Sequence, residues 1–436
     1  MRSVPAAIVT ALVEELRSIV GPEYVSTDPE DRRRASADWA KMSPILAAQL
    51  PLGLADVVAR PASAAEIGEV VAAGVRHGVP VTVRGKGTGN YGQAIPFAGG
   101  LVIDTLRADR VVDFGEDDVS TYITAEAGAT MAQLELAAGE LDQQIWMYSS
   151  TVNSTVGGFL SGGSGGTGSI RRGWIGDGFV HSLDVVHADG TAELHHVEGA
   201  ELAAHLHSYG TSGVIAQATI RTEPLQEWRA LYASFDHFRS ALDLIRPLGA
   251  LDPLPRLVSA DTPTVVGALP PDRGYPPGGA SLRTIVDVAA LDAASALITA
   301  AGGRVEDVRS GFRACQKLSL LSYNHPSWHL MKARPNTYFH LEVGGHALID
   351  RYPEVDAVFP GSELHIEMGA GYPIGMLNGF YESPEQVAAG IAALEALGVG
   401  VHSPHQWLVD RNVEAVQAAA ARIDPGGLLN PGKLPA

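Results

Sequence analysis

Two glycine-rich segments carry the clearest chemical signal in this sequence. The segment VTVRGKGTGNYG at residues 81–92 is a β-rich run followed by four glycines in eight residues. Without a Cβ, the chain adopts positive φ at little cost and can bring its amide N–H groups close to an anion. A second glycine-rich stretch occupies residues 157–169. Two such segments in one domain predict a large dinucleotide that is held at two places.

The first segment also matches the dinucleotide pattern G-x-G-x-x-G at residues 87–92. A Rossmann site needs a helix directly after the last glycine, because the helix N-terminus receives the pyrophosphate. Pro96 and the pair Gly99 and Gly100 follow instead, and these are poor helix formers. We therefore expect backbone amides alone to bind the phosphates, and an NAD-dependent dehydrogenase is the weaker alternative.

Titratable side chains alternate along two predicted strands, 337–343 and 363–368, so that they share one face of each strand. His340 and His365 lie on these faces and are candidate catalytic residues. The glutamates beside them are interpreted as a solvated sheet face: Glu342, Glu363 and Glu367.

Three further residues are candidates for catalysis because of where they fall in the chain. His405 precedes the final helix, and Tyr372 and Tyr381 lie in glycine-bearing connections. His402 and His405 form a His-x-x-His pair, but two ligands do not make a metal site, and we expect no metal. Cys315 is the one cysteine, which excludes an internal disulfide and a cysteine-cluster metal site.

Strand and helix patterns divide the chain of 436 residues into four parts. A helical lead-in is followed by alternating strands and helices, in which a capping box at Ser63 and Glu66 opens a helix. Beyond Pro224 the rhythm changes to strand–helix–strand units with antiparallel potential, which predict an α+β cap. The predicted ranges are 1–53 for the lead-in, 54–225 for the cofactor domain, 226–400 for the cap, and 401–436 for a C-terminal return to the cofactor domain.

Composition restricts the class of partner. The formal net charge of −18 argues against nonspecific binding to nucleic acid or anionic membranes. The N-terminus lacks the apolar core and cleavage site of a signal peptide, and no segment approaches a transmembrane span. We expect a cytoplasmic protein without a nucleic-acid or membrane partner; its oligomeric state is open.

A series of motifs in a fixed order resembles the FAD-dependent oxidoreductases of the vanillyl-alcohol oxidase / PCMH type. The glycine run at 84–89 is followed by LVIDT at 101–105, TVGGFL at 155–160, GSIRRG at 168–173, YGTSGVI at 209–215, and NPGK at 430–433. The resemblance covers roughly residues 50–225 and the last thirty or so. It implies an α+β protein with a two-subdomain PCMH-type FAD-binding domain and an α+β cap that carries an antiparallel sheet.

The same resemblance implies the cofactor contacts. The first glycine run would wrap the FAD pyrophosphate, the second segment would contact the pyrophosphate and the flavin, Ile215 would meet the adenine, and the C-terminal tail would reach the flavin edge. The implied residues are Arg84, Gly85, Lys86, Gly87, Thr88, Gly89, Ser154, Thr155, Gly157, Gly158, Gly165, Gly166, Ser169, Ile215, Asn430 and Lys433.

One departure concerns the flavin linkage. Many members carry a flavin-linking histidine where this chain has Thr88, and no cysteine lies near residues 146–156, so we expect non-covalent FAD. A link through His181 or His187 is the less favoured alternative. The resemblance implies hydride removal from an alcohol, hydroxy-acid or amine-type carbon of a small molecule, with oxygen or a redox carrier as electron acceptor. The alternative of another class is an FAD-binding electron-transfer subunit, which would not need a cap.

Overall fold

The computed structural model describes residues 4–435, without the side chain of Lys41; residues 1–3 of the predicted lead-in and residue 436 of the predicted return lie outside it. The α+β class with an antiparallel cap sheet is confirmed, because helices surround three separate sheets. The helices are α1 Ala6–Val20, α2 Pro29–Ala35, α3 Pro44–Gln49, α4 Ala64–Arg76, α5 Met131–Gly139, α6 Val156–Gly162, α7 Ser169–Arg172, α8 Phe238–Asp243, α9 Ile245–Gly249, α10 Pro263–Ala268, α11 Leu291–Ala300, α12 Phe312–Ser319, α13 His325–Ala333, α14 Ala347–Asp350, α15 Tyr352–Val358, α16 Pro384–Ala396 and α17 Val413–Ile423.

The first sheet has four strands in the order β1-β2-β4-β3: β1 Val25–Ser26, β2 Val57–Ala59, β3 Val81–Arg84 and β4 Leu101–Asp104. Strands β2, β3 and β4 run parallel, and α4 forms the crossover between β2 and β3. The side chain of Ser63 accepts the amide of Glu66, as the capping pattern predicts. This crossover places the first glycine segment at the carboxyl end of β3.

The second sheet has six antiparallel strands: β5 Val111–Glu116, β6 Thr121–Glu126, β7 Gln143–Ile145, β8 Val180–Val186, β9 Leu194–Glu198 and β10 Val214–Pro224. Its order is β5-β6-β10-β8-β9, and β7 pairs with β10. One continuous apolar core joins this sheet to the first sheet and includes Val57, Ile103, Ile123 and Val185. The two sheets therefore pack as one cofactor-binding unit.

The third sheet is antiparallel throughout, with eight strands in the order β14-β11-β13-β12-β16-β17-β15-β18. The strands are β11 Trp228–Phe235, β12 Leu257–Asp261, β13 Ala280–Asp287, β14 Arg304–Ser310, β15 Tyr338–Gly344, β16 Glu363–Met368, β17 Pro373–Phe380 and β18 Gly400–His402. One face carries residues such as Leu282, Leu341 and Ile366, which pack in a second core with side chains of α8, α9, α11 and α16.

The other face of this sheet is polar. The strand register aligns six side chains in one row across the sheet: Ser281, Asp261, His365, Met376, Glu342 and His402. Because successive side chains point to opposite faces, the alternation seen in the sequence gives one apolar and one polar face. The interpretation of Glu342 and Glu367 as members of a solvated face was wrong, since the exposed fractions of their side chains are 24% and 2%.

Several connections differ from the sequence expectation. The proline-rich region 253–277, to which the sequence analysis assigns no element, contains β12 and α10. Residues 238–249 form two helices, α8 and α9, which are separated at Leu244. Pro247 therefore lies in the first turn of α9, where its missing amide is tolerated. Strand β17 and helices α12 and α13 were not predicted. None of the helices described is long and apolar enough to span a membrane.

Candidate cofactor and active site

A cavity of about 1090 Å³ lies between the cofactor-binding unit and the polar face of the cap sheet. Its walls include the first glycine run, part of the second glycine segment, β15, β17 and β18, and residues of the lead-in such as Trp39. Its volume is at the upper end of ordinary ligand pockets, roughly 300–1,000 Å³. A ligand in this cavity would touch both the glycine segments and the cap.

The first glycine run has the form that the sequence predicts. Residues 93–100 after the run form turns and no helix, so the rejection of a Rossmann site is confirmed. Gly87 has a φ of +65°, a value that L side chains rarely adopt. Across the described chain, the amides of Gly85, Gly87 and Gly89 reach no protein acceptor. These donors line the cavity and fit the phosphate oxygens of a dinucleotide.

Arg84 lies in the cavity lining, and its side chain has a role of its own beside the expected backbone contact. Its guanidinium donates to the carbonyl oxygens of Arg34, Ala35 and Ala37 at 2.9, 2.6 and 3.1 Å. A Cβ on Gly87 would lie 2.1 Å from Arg84 Nη2. The side chain therefore ties the glycine run to the lead-in, while Lys86 is exposed at the cavity wall.

The second glycine segment is a helix over its first half, which corrects the expectation of a second amide-lined bend. Thr155 caps α6, and its side chain accepts the amide of Gly158 at 3.1 Å. The amide of Gly157 donates to the Ala127 carbonyl at 3.0 Å. Ser154, Thr155, Gly157 and Gly158 all line the cavity, but the two glycine amides are already bonded within the protein.

The two glycine segments are in direct contact. Thr88 Oγ1 and Ser154 Oγ share a hydrogen bond of 2.9 Å. A Cβ on Gly85 would lie 2.0 Å from Thr155 Oγ1, so glycine is required there by protein packing. The cavity wall is thus shaped before any ligand binds.

The remaining implied contacts divide into two groups. Gly165 and Ile215 line the cavity. Gly166 and Ser169 do not: the Gly166 amide donates to Ser169 Oγ at 3.0 Å, and Ser169 is 2% exposed. The structure therefore does not bring Gly166 and Ser169 to the cavity, where the resemblance implied a flavin contact.

Asn430 and Lys433 return to the cofactor-binding unit but lie behind the glycine run, not at the cavity. The Asn430 side-chain amide donates to the carbonyl oxygens of Gln93 at 2.9 Å and Tyr209 at 2.8 Å. Lys433 Nζ donates to the Gly92 carbonyl, and burial lowers its pKa to about 6. Both residues hold the end of the glycine run in place.

The cap contributes a chain of charged groups to the cavity wall. His402 Nδ1 lies 3.0 Å from Glu342 Oε2, and its Nε2 bonds Asp410. Burial alone would lower the pKa of His402, but the two carboxylates outweigh it and raise the pKa to about 10. Burial raises the pKa of Glu342, yet His402 and Tyr91 more than compensate and lower it to about 2. At neutral pH this chain holds an imidazolium between two carboxylates.

Neighbouring cavity residues extend this chain. Tyr91, whose hydroxyl donates to Glu342, and His207, whose Nε2 is 3.3 Å from Asp410 Oδ1, both line the cavity. Sequence reasoning missed Glu342 and His402 as functional residues. The available signal was the alternation of Glu342 with His340, which indicates one face but not whether that face is solvated.

His325 is a third cavity residue that the sequence did not indicate. Its Nε2 shares a hydrogen bond of 2.9 Å with Thr151 Oγ1 of the cofactor-binding unit. Burial lowers its pKa to about 4, so the imidazole is neutral at pH 7. It begins α13, which was itself not predicted.

Of the five predicted catalytic residues, the structure brings only Tyr372 into the cavity. His340 is 1% exposed, and burial lowers its pKa to about 4. His405 bonds Ser43 Oγ through Nδ1 at 2.5 Å, and Tyr381 packs against the second core. His365 is fully buried and contacts Glu367, which does line the cavity.

Comparison with known proteins agrees with this site. Residues 55–194 match the FAD binding domain family. The D-lactate dehydrogenase of Archaeoglobus fulgidus is 28% identical over 43% of this chain and 44% of its own length. The glycolate oxidase subunit GlcD of Bacillus subtilis is 25% identical over 58% of this chain and 54% of its own. The chain thus spans about half the length of these curated relatives.

Among solved structures, an alkyldihydroxyacetonephosphate synthase covers 99% of this chain and 86% of its own with a TM-score of 0.73 and 16% identity. That likeness concerns the fold. The free amides, the glycine cradle and the matched family together define a dinucleotide site of the FAD-binding class. The match over residues 55–194 is to an FAD binding domain, in agreement with the PCMH-type resemblance seen in the sequence.

Proposed function

We propose that this protein is an FAD-dependent oxidoreductase that removes hydride from a hydroxyl-bearing carbon of a small molecule. The observation that carries the proposal is the shared cavity, in which free amides of the glycine run form one wall and the polar face of the cap sheet forms the other. Bound FAD would supply the redox chemistry, accepting hydride and passing electrons to oxygen or a redox carrier. The protein must then bind the substrate and accept its hydroxyl proton.

His325 is the proposed proton acceptor. A neutral imidazole can take a proton, and the Thr151 bond fixes one nitrogen while the ring lines the cavity. The imidazolium of His402 cannot accept a second proton. The pKa of Glu342, lowered to about 2, makes its carboxylate a weaker base than the His325 imidazole, whose pKa is about 4. We therefore assign Glu342 and His402 to substrate orientation.

The substrate class is drawn from the relatives, several of which are named for 2-hydroxy acids. A substrate carboxylate needs a cation, and Arg411 lines the cavity with an exposed guanidinium. Trp39 and Trp328 meet edge to face at 5.2 Å in the same cavity and supply an apolar surface. Small 2-hydroxy acids are the first substrates to test, with the corresponding neutral alcohols as comparison.

The flavin is proposed to be non-covalent. Thr88 stands at the family's linking position and bonds Ser154. Neither His181, His187 nor Cys315 lines the cavity. Acid precipitation of the purified protein should release the yellow chromophore into the supernatant; a yellow pellet would contradict this part alone.

The test of function is anaerobic flavin reduction. The protein loaded with FAD should bleach at its visible bands when mixed with a substrate from the hydroxy-acid panel. His325→Asn should keep FAD but slow reduction by about 10²-fold or more, the usual contribution of a general base. His329→Asn, one turn further along α13, is the matched control and should reduce at the wild-type rate.

The result also separates the alternatives. An electron-transfer subunit would bind FAD but show no reduction with any small substrate, while accepting electrons from a reduced protein donor. A chain that takes up no FAD would overturn the proposal as a whole.

A further inference from the structure

Two histidines face each other on the hairpin of β8 and β9, outside the lining of the cavity. Strands β8 and β9 are antiparallel, with Val185 opposite His195 and Val186 opposite Leu194. Side chains two positions apart share a face, so His187 is a diagonal neighbour of His195. Their rings stack at 3.6 Å between centroids with an interplanar angle of 5°. Neither residue lines the cavity.

A carboxylate completes the group. Asp189 lies in the turn of the hairpin, and its Oδ1 accepts both the amide and the hydroxyl of Thr191 at 2.8 Å. These bonds orient the carboxylate and leave Oδ2 without a hydrogen bond among the described residues. One ligand atom of each of His187, Asp189 and His195 lies within 4.8 Å of the others.

One imidazole nitrogen of the pair is available to a metal ion. Nε2 of His195 is buried and has no hydrogen-bond partner in the described chain, so coordination there breaks no hydrogen bond. Of the other charged groups near His187, Glu193 favours a cation and Arg422 opposes it.

We propose that His187, Asp189 and His195 bind one divalent transition-metal ion, with zinc as the best match. Two imidazoles and one carboxylate suit zinc and not magnesium or calcium, which prefer oxygen ligands. Zinc–ligand distances of about 2.0–2.2 Å bring the donor atoms closer than they now lie. One of the stacked rings must tilt so that both nitrogen lone pairs converge, and solvent fills the fourth position.

The ion would act on the fold and not on the redox chemistry. The Ala188 amide, between two of the ligands, donates to the Ile423 carbonyl at the end of α17 at 3.1 Å. Beyond α17 the chain reaches Asn430 and Lys433, which hold the glycine run. A zinc ion on the hairpin would therefore stabilise the junction of the C-terminal return with the cofactor-binding unit.

The test uses the full chain after treatment with EDTA and removal of the chelator. Titration with zinc chloride, followed by calorimetry, should show one tight equivalent per chain and a rise in Tm. His195→Gln and Asp189→Asn should each weaken that equivalent by at least about 10-fold, because even indirect partners of metal ligands are worth 10–100-fold. FAD content and circular dichroism confirm that each variant is folded.

His196→Gln is the matched control. His196 is the next residue of β9 and points to the opposite face, where its Nδ1 lies 2.8 Å from Asp184. This variant should bind zinc like the wild type. Equal affinity in all four proteins, loss of binding in His196→Gln, or wild-type binding only at millimolar zinc would show an adventitious ion only and overturn the proposal.

Discussion

The buried imidazolium of His365 is the most demanding test of the electrostatics inferred for the cap. His365 Nδ1 lies 2.7 Å from Asp261 Oδ1, and Nε2 lies 2.6 Å from Glu367 Oε1. Burial opposes protonation of the ring, but the two carboxylates outweigh it and raise its pKa to about 9. Arg283 also contacts Asp261, at 2.5 Å, so loss of His365 leaves Glu367 as the carboxylate without a cation.

The sign and size of the pH effect follow from this pKa. A folded-state pKa raised from 6.5 to about 9, at 1.36 kcal/mol for each pH unit, corresponds to about 3 kcal/mol of folding free energy. The contribution is fully present below pH 6.5 and is lost as the pH rises through about 9. For a unit of the cap's size, 1 kcal/mol shifts Tm by roughly 2–4 °C, so this group alone lowers Tm by roughly 6–12 °C across that range.

The assay compares His365→Gln with the wild type by differential scanning calorimetry at pH 6, 7.5 and 9.5. The variant should unfold at a lower temperature at pH 6, because breaking a buried ion pair costs about 3–5 kcal/mol, and should lack most of the decline toward pH 9.5. His237→Gln changes an exposed histidine of the same domain and should reproduce the wild-type profile. A His365→Gln profile parallel to that of the wild type would refute a protonated His365.

Three further outcomes test the site. Gly87→Ala should weaken FAD binding at least about 10-fold more than the control Gly78→Ala, measured by fluorescence titration. Both glycines have positive φ (+65° and +63°), but only a Cβ at residue 87 meets an atom within 4 Å. Equal losses of affinity would contradict a requirement for glycine in the first glycine run. Lys433→Met removes the donor to the Gly92 carbonyl, a hydrogen bond worth about 1 kcal/mol, so FAD affinity should fall about 5-fold in the same titration. Unchanged affinity would show that FAD binding does not need this hydrogen bond. Glu342→Gln should lower the pKa of His402 from about 10, as measured by NMR of ¹⁵N-histidine-labelled protein. An unchanged pKa would show that Glu342 does not stabilise the imidazolium of His402.

Local sequence rules predicted the cofactor-binding unit well. The helix α4 and its cap at Ser63 follow from apolar spacing and a capping pattern within four residues of each other. The turns after Gly92 follow from Pro96 and the glycine pair. These features depend on neighbouring residues, which a single sequence displays directly.

The catalytic assignment depended on contacts that no local pattern records. His402 meets Glu342 across a strand pair and meets Asp410 from the following loop. His340 and His365 have the same alternation as Glu342 and Glu367, yet the histidines are buried behind the cavity wall and the glutamates form it. Periodicity gives the face of a strand, whereas the depth of each side chain depends on which element covers that face.

The second glycine segment shows why composition misled. Its glycines suggested a bend, but Gly157 is required because a Cβ there would lie 2.8 Å from the side chain of Ala127, the residue that follows β6. Gly85 is likewise required by Thr155, and Asn430 and Lys433 support the run from its other side. The amides proposed to bind the phosphates are therefore oriented by packing between segments about 350 residues apart. We expect FAD binding to be coupled to the docking of the C-terminal return.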